Sequence, residues 1–500
     1  MLEKIKSNIY EFSERNAFCI KDVYYTYNEF GKYISSISKF FNTSKNRRKN
    51  QIVGIITTDD IETYASIFAL WFHGFTFLPI NPKNPKSRNQ KMLDQTNVSF
   101  ILSTIRDIDN IIDKDNYTIY YTDNLNIDTL DIEISNYHKD NYLYLIFTSG
   151  STGVPKGVPI TVNNLFSFIN AFIDLGYKIN HQDRFLQIYD LSFDASFHSY
   201  VLPVYLGACV YTVPFDGIKY LDAYKILEKY DITFAKMPPS TINFLRPYFK
   251  SIKLSKLKYS LFGGESLYVD LAEEWKKCVP NAIIQNVYGP TEATINCLYY
   301  SYKNKNDKPK VYNGIISIGK PSKNITAIVI DENLNIVRDG VKGELCVAGN
   351  QITPGYWKDE KKNEELFFLL ENKGEKQKFY RTGDIVFKDE EGDYLFCGRK
   401  DNQVQIQGYR VELGEIEGFA REFLKGINTT AIYNKKSTGN SEIILFIESV
   451  EKEIMDLKIF LESRLPIYML PSKFIFLPKF PLNISGKIDR KQISKTFINE

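Results

Sequence analysis

The chain is poor in the residues that build metal sites and disulfide scaffolds. Six cysteines and four histidines are spread over 500 residues. Cys19, Cys209, Cys278, Cys297, Cys346 and Cys397 form no Cys-x-x-Cys pair, and His73, His138, His181 and His198 show no ligand spacing. A structural zinc and a disulfide framework are therefore not expected, and the thiols read as reduced, in a cytoplasmic protein. An excess of one charge is missing too. Sixty-three Lys and Arg nearly cancel sixty Asp and Glu, for a net charge of +3, which gives no basis for nucleic-acid or membrane binding. Any anion must be held locally. Long apolar runs are also absent. The most apolar stretch, Ala65 to Ile80, is interrupted by His73, Gly74 and Thr76, so it reads as a core helix followed by a buried strand rather than a membrane span. The N-terminal Met1-Leu2-Glu3-Lys4 opens no signal-peptide core.

What is present is a large globular chain with 43% hydrophobic residues, long enough for more than one domain. The first four-fifths alternates strand patterns (Val53–Ile56, Leu143–Phe147, Ala327–Ile330) with helical ones. Val162, Leu165, Phe166, Ile169, Phe172 and Ile173 follow helical spacing behind Thr161, a plausible N-cap. This predicts an α/β fold of parallel-rich sheets packed with helices. The charged stretch Glu371 to Lys378 reads as a surface loop. Near Gly398 the character changes toward short strands and helices (Glu415 to Phe423, Met455 to Arg464), as in a small α+β domain.

One string stands out. Thr148-Ser149-Gly150-Ser151-Thr152-Gly153-Val154-Pro155-Lys156-Gly157 follows the buried strand Leu143–Phe147. Closely spaced glycines let backbone N–H groups approach a ligand, hydroxyls add donors, and Lys156 adds a cation, which together suit a polyphosphate. The string lacks the GK[ST] ending of a Walker A loop. The competing reading is a flexible Gly/Ser turn.

This string resembles the phosphate-loop signature of the adenylate-forming superfamily: acyl-CoA synthetases, luciferases and the adenylation domains of nonribosomal peptide synthetases. Further resemblances follow in the family's order. They are Phe77-Leu78-Pro79-Ile80-Asn81-Pro82, Asn286-Val287-Tyr288-Gly289-Pro290-Thr291-Glu292, Gly343-Glu344-Leu345 through Gly355-Tyr356-Trp357, Tyr380-Arg381-Thr382-Gly383-Asp384, Gly398-Arg399-Lys400-Asp401 with Gln407-Gly408-Tyr409-Arg410-Val411-Glu412, and Ser485-Gly486-Lys487-Ile488-Asp489-Arg490. The resemblance implies an adenylation core over 1–398, a hinge at 399–402 pivoting on Asp401, and a mobile C-terminal lid over 403–500 that carries a catalytic lysine, Lys487. It implies ATP and Mg²⁺ as cofactors. Thr148, Ser149, Gly150, Ser151, Thr152, Gly153 and Lys156 would hold the β- and γ-phosphates. Tyr288 would stack on adenine and Asn286 pair with its edge, and Val287, Gly289, Gly264 and Glu265 would belong to the cofactor-binding set. Asp384 and Arg399 would bind ribose, Thr291 a phosphate, and Glu292 the Mg²⁺. Taken alone, Lys487 near the end of the chain would read as solvated surface; the motif around it reverses that.

The substrate is addressed by Leu191-Ser192-Phe193-Asp194-Ala195-Ser196, which resembles the pocket motif in which an Asp pairs with an amino acid's α-ammonium. Asp194 could instead be a helix cap. By the same resemblance Ala195, His198, Lys236, Leu261, Gly263, Val287, Ile295 and Asn296 would line the pocket. Lys236 could meet a side-chain carboxylate or amide, or else snorkel away and leave a small pocket. The expected activity is ATP-dependent activation of an amino acid as aminoacyl-AMP with release of pyrophosphate. Transfer in trans would follow, to the phosphopantetheine thiol of a separate carrier protein, because no carrier domain follows Lys487. D-Alanine–carrier-protein ligases share this layout but typically carry Cys where this chain has Gly263. An acyl- or aryl-CoA ligase and a non-catalytic nucleotide-binding member are the remaining alternatives.

Overall fold

The computed structural model describes residues 1–500 except 43–50, 99, 136, 151–153, 303–307, 373, 436–440, 451–454, 483–487 and 499–500. Two large sheets dominate. In one, six strands run in the order Thr118–Tyr121, Phe100–Ser103, Ile52–Ile56, Thr76–Ile80, Tyr142–Thr148, Lys156–Thr161, parallel except for the last pair. In the other, nine strands are ordered Lys320–Pro321, Leu298–Tyr302, Ile283–Tyr288, Tyr259–Phe262, Phe234–Met237, Arg184–Gln187, Cys209–Thr212, Asn16–Ile20, Val23–Thr26, with a parallel centre and antiparallel edges. Strands such as Ile-Val-Gly-Ile-Ile at Ile52–Ile56 are buried along their whole length, as a parallel strand covered on both faces must be. The helix Ile61–Phe72 is buried at every position but Glu62. An apolar surface all round requires neighbours on all sides. Its first turn is fixed by Asp60, whose side chain accepts from the Thr63 N–H. Thr161 caps the helix Val162–Asp174 through a reciprocal box with Asn164.

Two expectations are corrected. The segment after Ile325 is not part of a parallel sheet. Ile325–Ile330, Gly343–Gly349, Glu375–Lys388, Phe367–Asn372 and Tyr394–Arg399 form an antiparallel five-stranded sheet. The reason is connection length: most of these strands return through short turns, which only antiparallel pairing allows. Nor is Glu371–Lys378 a loop. It belongs to the hairpin that pairs Asn372 with Glu375 and Leu369 with Lys378, with Glu371, Glu375 and Lys376 exposed.

Beyond Arg399 come a small hairpin, Gln403–Ile406 with Tyr409–Glu412, and a three-stranded sheet of Thr429–Lys435, Ser441–Glu448 and Lys473–Leu477. The helices Leu413–Phe423, Met455–Glu462 and Arg490–Phe497 complete this smaller α+β unit. Among the described residues, no helix is long and apolar enough to cross a membrane, and the six cysteines are free.

An aromatic stack joins the layers where chemistry is expected. Trp71 lies against Phe197 with ring centroids 5.9 Å apart, Phe197 lies on Tyr144 at 4.0 Å, and Trp71 Nε1 donates to the Leu143 carbonyl at 2.8 Å. Tyr144 is in the strand that feeds the phosphate-type loop; Phe197 is three residues past Asp194. The stack therefore sets the loop and the Asp194 helix relative to one another. Trp71→Ala should cost about 3–5 kcal/mol, as buried aromatic truncations do. Urea unfolding of the full chain checks this; a change under ~1 kcal/mol would mean the stack does not carry the layers.

Candidate active site

A cavity of about 730 Å³ opens between the nine-stranded sheet, the antiparallel sheet and the small C-terminal unit. It collects side chains far apart in sequence. Thr148 and Ser149 come from the loop after the strand Tyr142–Thr148, Asp194 and Ala195 from the head of a helix, and Lys236 and Gly263 from parallel strands or their ends. Asn286 to Thr291 come from the next strand end, and Asp384 and Arg399 from the antiparallel sheet. Parallel strands present their C-terminal ends on one side, where ligands are met in open α/β sheets.

At the nucleotide end three groups lock together. Tyr288 donates its hydroxyl to Asp384 Oδ2, and Arg399 Nη1 donates to Asp384 Oδ1 at 2.7 Å. Burial pushes the Asp384 carboxyl up, and the Arg399 charge and Tyr288 hydroxyl oppose this. Asn286 spends both amide hydrogens on the carbonyls of Ile316 and Ser317, so it can offer a ligand only its carbonyl oxygen. Gly289 has no room for a side chain, since a Cβ would lie 2.6 Å from the Asn296 Cα.

The phosphate-type loop is engaged by the C-terminal hairpin. Ser149 Oγ donates to the Arg410 carbonyl at 2.9 Å and accepts from Glu412 N–H at 3.2 Å. Gly150 N–H donates to Glu415 Oε2 at 3.3 Å, and Lys156 Nζ lies 3.4 Å from Glu412. Arg88 pairs with Glu415 at 2.6 Å. Glu292 is buried; its Oε1 accepts from Tyr356 and its Oε2 from Arg410 Nη1 at 2.8 Å. Burial alone would raise its carboxyl, but the Arg410 guanidinium and the Tyr356 hydroxyl more than offset that and hold it below its ordinary value. Glu265 accepts from Ser240 N–H and from Gly408 N–H, both at 2.8 Å. In this arrangement it anchors the hairpin tip, although the resemblance implies a cofactor-binding role. Gly408 itself has φ +82° and packs on Pro238, a turn position suited to glycine.

The substrate-type pocket is more polar than its depth would suggest. Asp194 stands at the N-cap position of the helix Ala195–Leu206 but makes no side-chain cap. Its Oδ2 instead accepts from Ile295 N–H at 3.2 Å. Burial pushes its carboxyl up to about 6, opposed by Lys236 and by backbone donors. Lys236, in the strand Phe234–Met237, is 2% exposed and donates to Asn296 Oδ1 at 3.2 Å; burial pulls its ammonium down to about 7 against the attraction of Asp194. It does not snorkel to solvent.

Thr148, Ser149, Asp194, Ala195, Lys236, Gly263, Gly264, Glu265, Asn286, Val287, Tyr288, Gly289, Thr291, Ile295, Asn296, Asp384, Arg399 and Asp401 all line the cavity. Gly150, Lys156, Glu292, Leu261 and His198 do not. Leu261 is a core residue, and His198 lies one helical turn below Asp194 among Phe168, Phe172 and Phe234. Ser151, Thr152, Gly153 and Lys487 lie outside the described residues. The motifs by themselves point to no role for Arg410, Glu412, Glu415 or Tyr189. Arg410 and Glu412 sit within the hinge-region motif, and their charge is the signal that could have found them.

A family model described as AMP-binding enzyme matches residues 5–357. Gramicidin S synthase 1 of Brevibacillus brevis is 31% identical over 481 residues, 94% of this chain and 42% of that protein. Zwittermicin A synthase ZmaJ of Bacillus cereus is 30% identical over 455 residues, 89% of this chain and 85% of that protein. Other relatives are far longer: the chain spans only 7% of tyrocidine synthase 3 of Brevibacillus parabrevis, to which it is 30% identical over 481 residues, 94% of this chain. Among solved structures, the Vibrio cholerae adenylation domain AlmE, in complex with glycyl-adenosine-5'-phosphate, superposes with a TM-score of 0.86 at 24% identity, covering 100% of this chain and 97% of that one.

The Glu292–Arg410 pair generates a pH prediction. A carboxyl whose folded pKa is depressed stabilises the fold above its ordinary value, and this is lost as pH falls through the depressed value. Glu292→Gln should therefore be less stable than wild type at pH 7 and lose less on acidification to pH 4. Melting temperatures across that range test this; parallel curves would show the pair contributes no pH dependence.

Proposed function

The chain belongs to the AMP-binding enzyme family, and from that premise we propose that this adenylate-forming enzyme activates an amino acid. ATP and the amino acid yield aminoacyl-AMP and pyrophosphate, and the aminoacyl group then passes to the phosphopantetheine thiol of a separate carrier protein. The observation that carries this reading is one continuous cavity holding both the Tyr288–Asp384–Arg399 cluster and a buried carboxylate, Asp194. A fatty or aryl acid has no cation for that carboxylate, and an unpaired buried charge is costly.

In the first step a carboxylate oxygen of the amino acid attacks the α-phosphorus of ATP and the bond to the β-phosphate oxygen breaks. Two anions must be brought together, so positioning and charge stabilisation dominate. Thr148, Ser149, Gly150 and Lys156 supply donors and a cation for the phosphates, with Ser151, Thr152 and Gly153 completing the loop. Thr291 adds a hydroxyl. Tyr288 offers its ring to adenine, and Asp384 and Arg399 meet the ribose. Lys487 supplies the cation between the carboxylate and the α-phosphate.

Mg²⁺ suits Glu292. Its oxygens are hard donors, but in this arrangement Oε1 accepts from Tyr356 and Oε2 from Arg410, so the ion would take the carboxylate only once Arg410 withdraws. Among the described residues no group of three ligating side chains surrounds it, as is usual where phosphate oxygens and waters complete the shell. When bound, the ion would neutralise phosphate charge.

Asp194→Ala should lose amino-acid-dependent ATP–pyrophosphate exchange by ~100-fold or more, since leaving one buried charge unpaired costs about 3–5 kcal/mol. ATP binding should stay within a few-fold. A wild-type preference for a fatty or aryl acid would make the enzyme a CoA-ligase type instead, and no exchange with any acid would make it a non-catalytic member.

The two half-reactions need different surroundings at the same carbonyl, which points to the hinge at 399–402 between the 1–398 core and the 403–500 lid. Asp401 pairs bidentately with Arg399, both contacts at 2.7 Å, and accepts from Gln403 N–H. Proline fixes φ at about −65° and removes the backbone donor. Asp401→Pro should keep most pyrophosphate exchange and lose loading of a purified holo-carrier protein. Asp401→Ala, which breaks the ion pair but leaves the backbone free, should keep both. Equal loss of both activities in the proline variant would mean local misfolding.

A further inference from the structure

The pocket around Asp194 contains a second, opposite charge that activation of an amino acid does not by itself require. We propose that the substrate's side chain carries a carboxylate, bound by Lys236 and Asn296 at the inner end of the Asp194 pocket. The proposal rests on the amino-acid reading above and adds the substrate class.

The argument begins with donors. The Lys236 ammonium has three N–H groups, and among the described residues its hydrogen bond is the one to Asn296 Oδ1. Because that oxygen accepts from an obligate donor, the orientation of the Asn296 amide is fixed. Its Nδ2 is left buried without a partner. The Tyr189 hydroxyl, with its ring 5.6 Å from Lys236 Nζ, is likewise buried and unpartnered. Four N–H hydrogens of the bonded Lys236–Asn296 pair thus lack an acceptor, two on each residue, and the Tyr189 hydroxyl is a further buried orphan of the pocket. Buried polar groups in native proteins are nearly always satisfied, so each orphan calls for a ligand or water.

The surplus selects among side chains. An amide offers one acceptor oxygen and adds two N–H hydrogens to a site already rich in donors. A carboxylate brings only acceptors. His198 adds no rival cation, because burial and then the nearby Lys236 charge push its imidazole pKa well down, leaving it neutral. An apolar side chain would leave the ammonium and the orphan donors desolvated.

Shape agrees with charge. Gly263 lies beside the lysine stem. A Cβ there would come 2.8 Å from Val287 Cγ2 and 3.7 Å from Lys236 Cε, so glycine keeps this flank open. Ala195 keeps the other flank small. With Asp194 for the ammonium and Lys236 for the side-chain carboxylate, the pocket has two poles that match a dicarboxylic amino acid. The physical rival is that Lys236 merely offsets Asp194. In that case the substrate's ammonium would enter as a second cation beside Lys236, and the orphan donors would remain unsatisfied.

The test is ATP–pyrophosphate exchange by the full chain with aspartate, glutamate, asparagine, glutamine, alanine, leucine and phenylalanine. Wild type should use one acidic amino acid with kcat/KM at least ten-fold above its own amide. Lys236→Met should lower that kcat/KM about 100-fold, chiefly through KM, and shift the preference within the panel from the acidic amino acid toward alanine or leucine. Lys236→Gln, which keeps a donor but not the charge, should shift preference toward the amide. A wild-type preference for an amide or apolar amino acid would overturn the proposal while leaving amino-acid activation standing. Exchange with none of them would overturn the amino-acid reading, and the proposal with it. The wild-type panel decides the matter even if both variants fail to fold.

Discussion

A buried carboxylate must have a cation, and at Glu292 that cation is Arg410, brought from 118 positions away by the docked C-terminal hairpin. Much of the site's arrangement follows from this contact. To reach Glu292 the strand Tyr409–Glu412 must lie across the cleft. Once there, it delivers the Arg410 carbonyl and the Glu412 N–H to Ser149, and the Glu412 carboxylate to Lys156. The following helix brings Glu415 to Gly150 and to Arg88. Among the described residues of the glycine-rich string, Ser149, Gly150 and Lys156 are thereby partnered by the C-terminal unit, the last two by its carboxylates.

The same contacts impose a choice. Polyphosphate in the loop would put negative charge beside Glu412 and Glu415, and like charges in a partly buried cleft repel strongly. A divalent cation at Glu292 would meet the Arg410 guanidinium. The hairpin and a fully bound metal–nucleotide therefore compete for the same donors and the same carboxylate. On the proposed reading the rearrangement is absorbed in the short stretch between Arg399 and Gln403, where Asp401 hydrogen-bonds both ends. Hinges of this kind need only a few residues.

Local features of the sequence translate well into structure. The glycine-rich string follows its strand, Thr161 caps its helix, and Tyr288, Asp384 and Arg399 meet although 96 and 15 positions separate the bonded pairs. The antiparallel sheet is not legible, because the alternation of strand and helix in the first 300 residues gives no sign of where the helices stop. Glu371–Lys378 reads as a loop because an exposed hairpin has little apolar patterning. Leu261 and His198 fall to the pocket by motif spacing, which locates a residue along its element but not the depth of its side chain. The hairpin's polar contacts are beyond reach, since charge complementarity between Glu292 and Arg410 exists only once the two units are docked.

Asp194 and Lys236 show how a pocket can be charged and still fold. Each is fully buried, and burial moves their titrations toward each other, to about 6 and about 7. Burial disfavours both ionised forms, and the mutual attraction of the pair opposes that. A ligand that supplies an ammonium to one and an anion to the other reinforces both ionisations at once. A ligand that supplies only one leaves the other to be neutralised by a proton gained or lost. On the proposed reading, binding energy therefore depends on the second charge of the ligand, and selectivity comes from what the wrong substrate leaves unpaired.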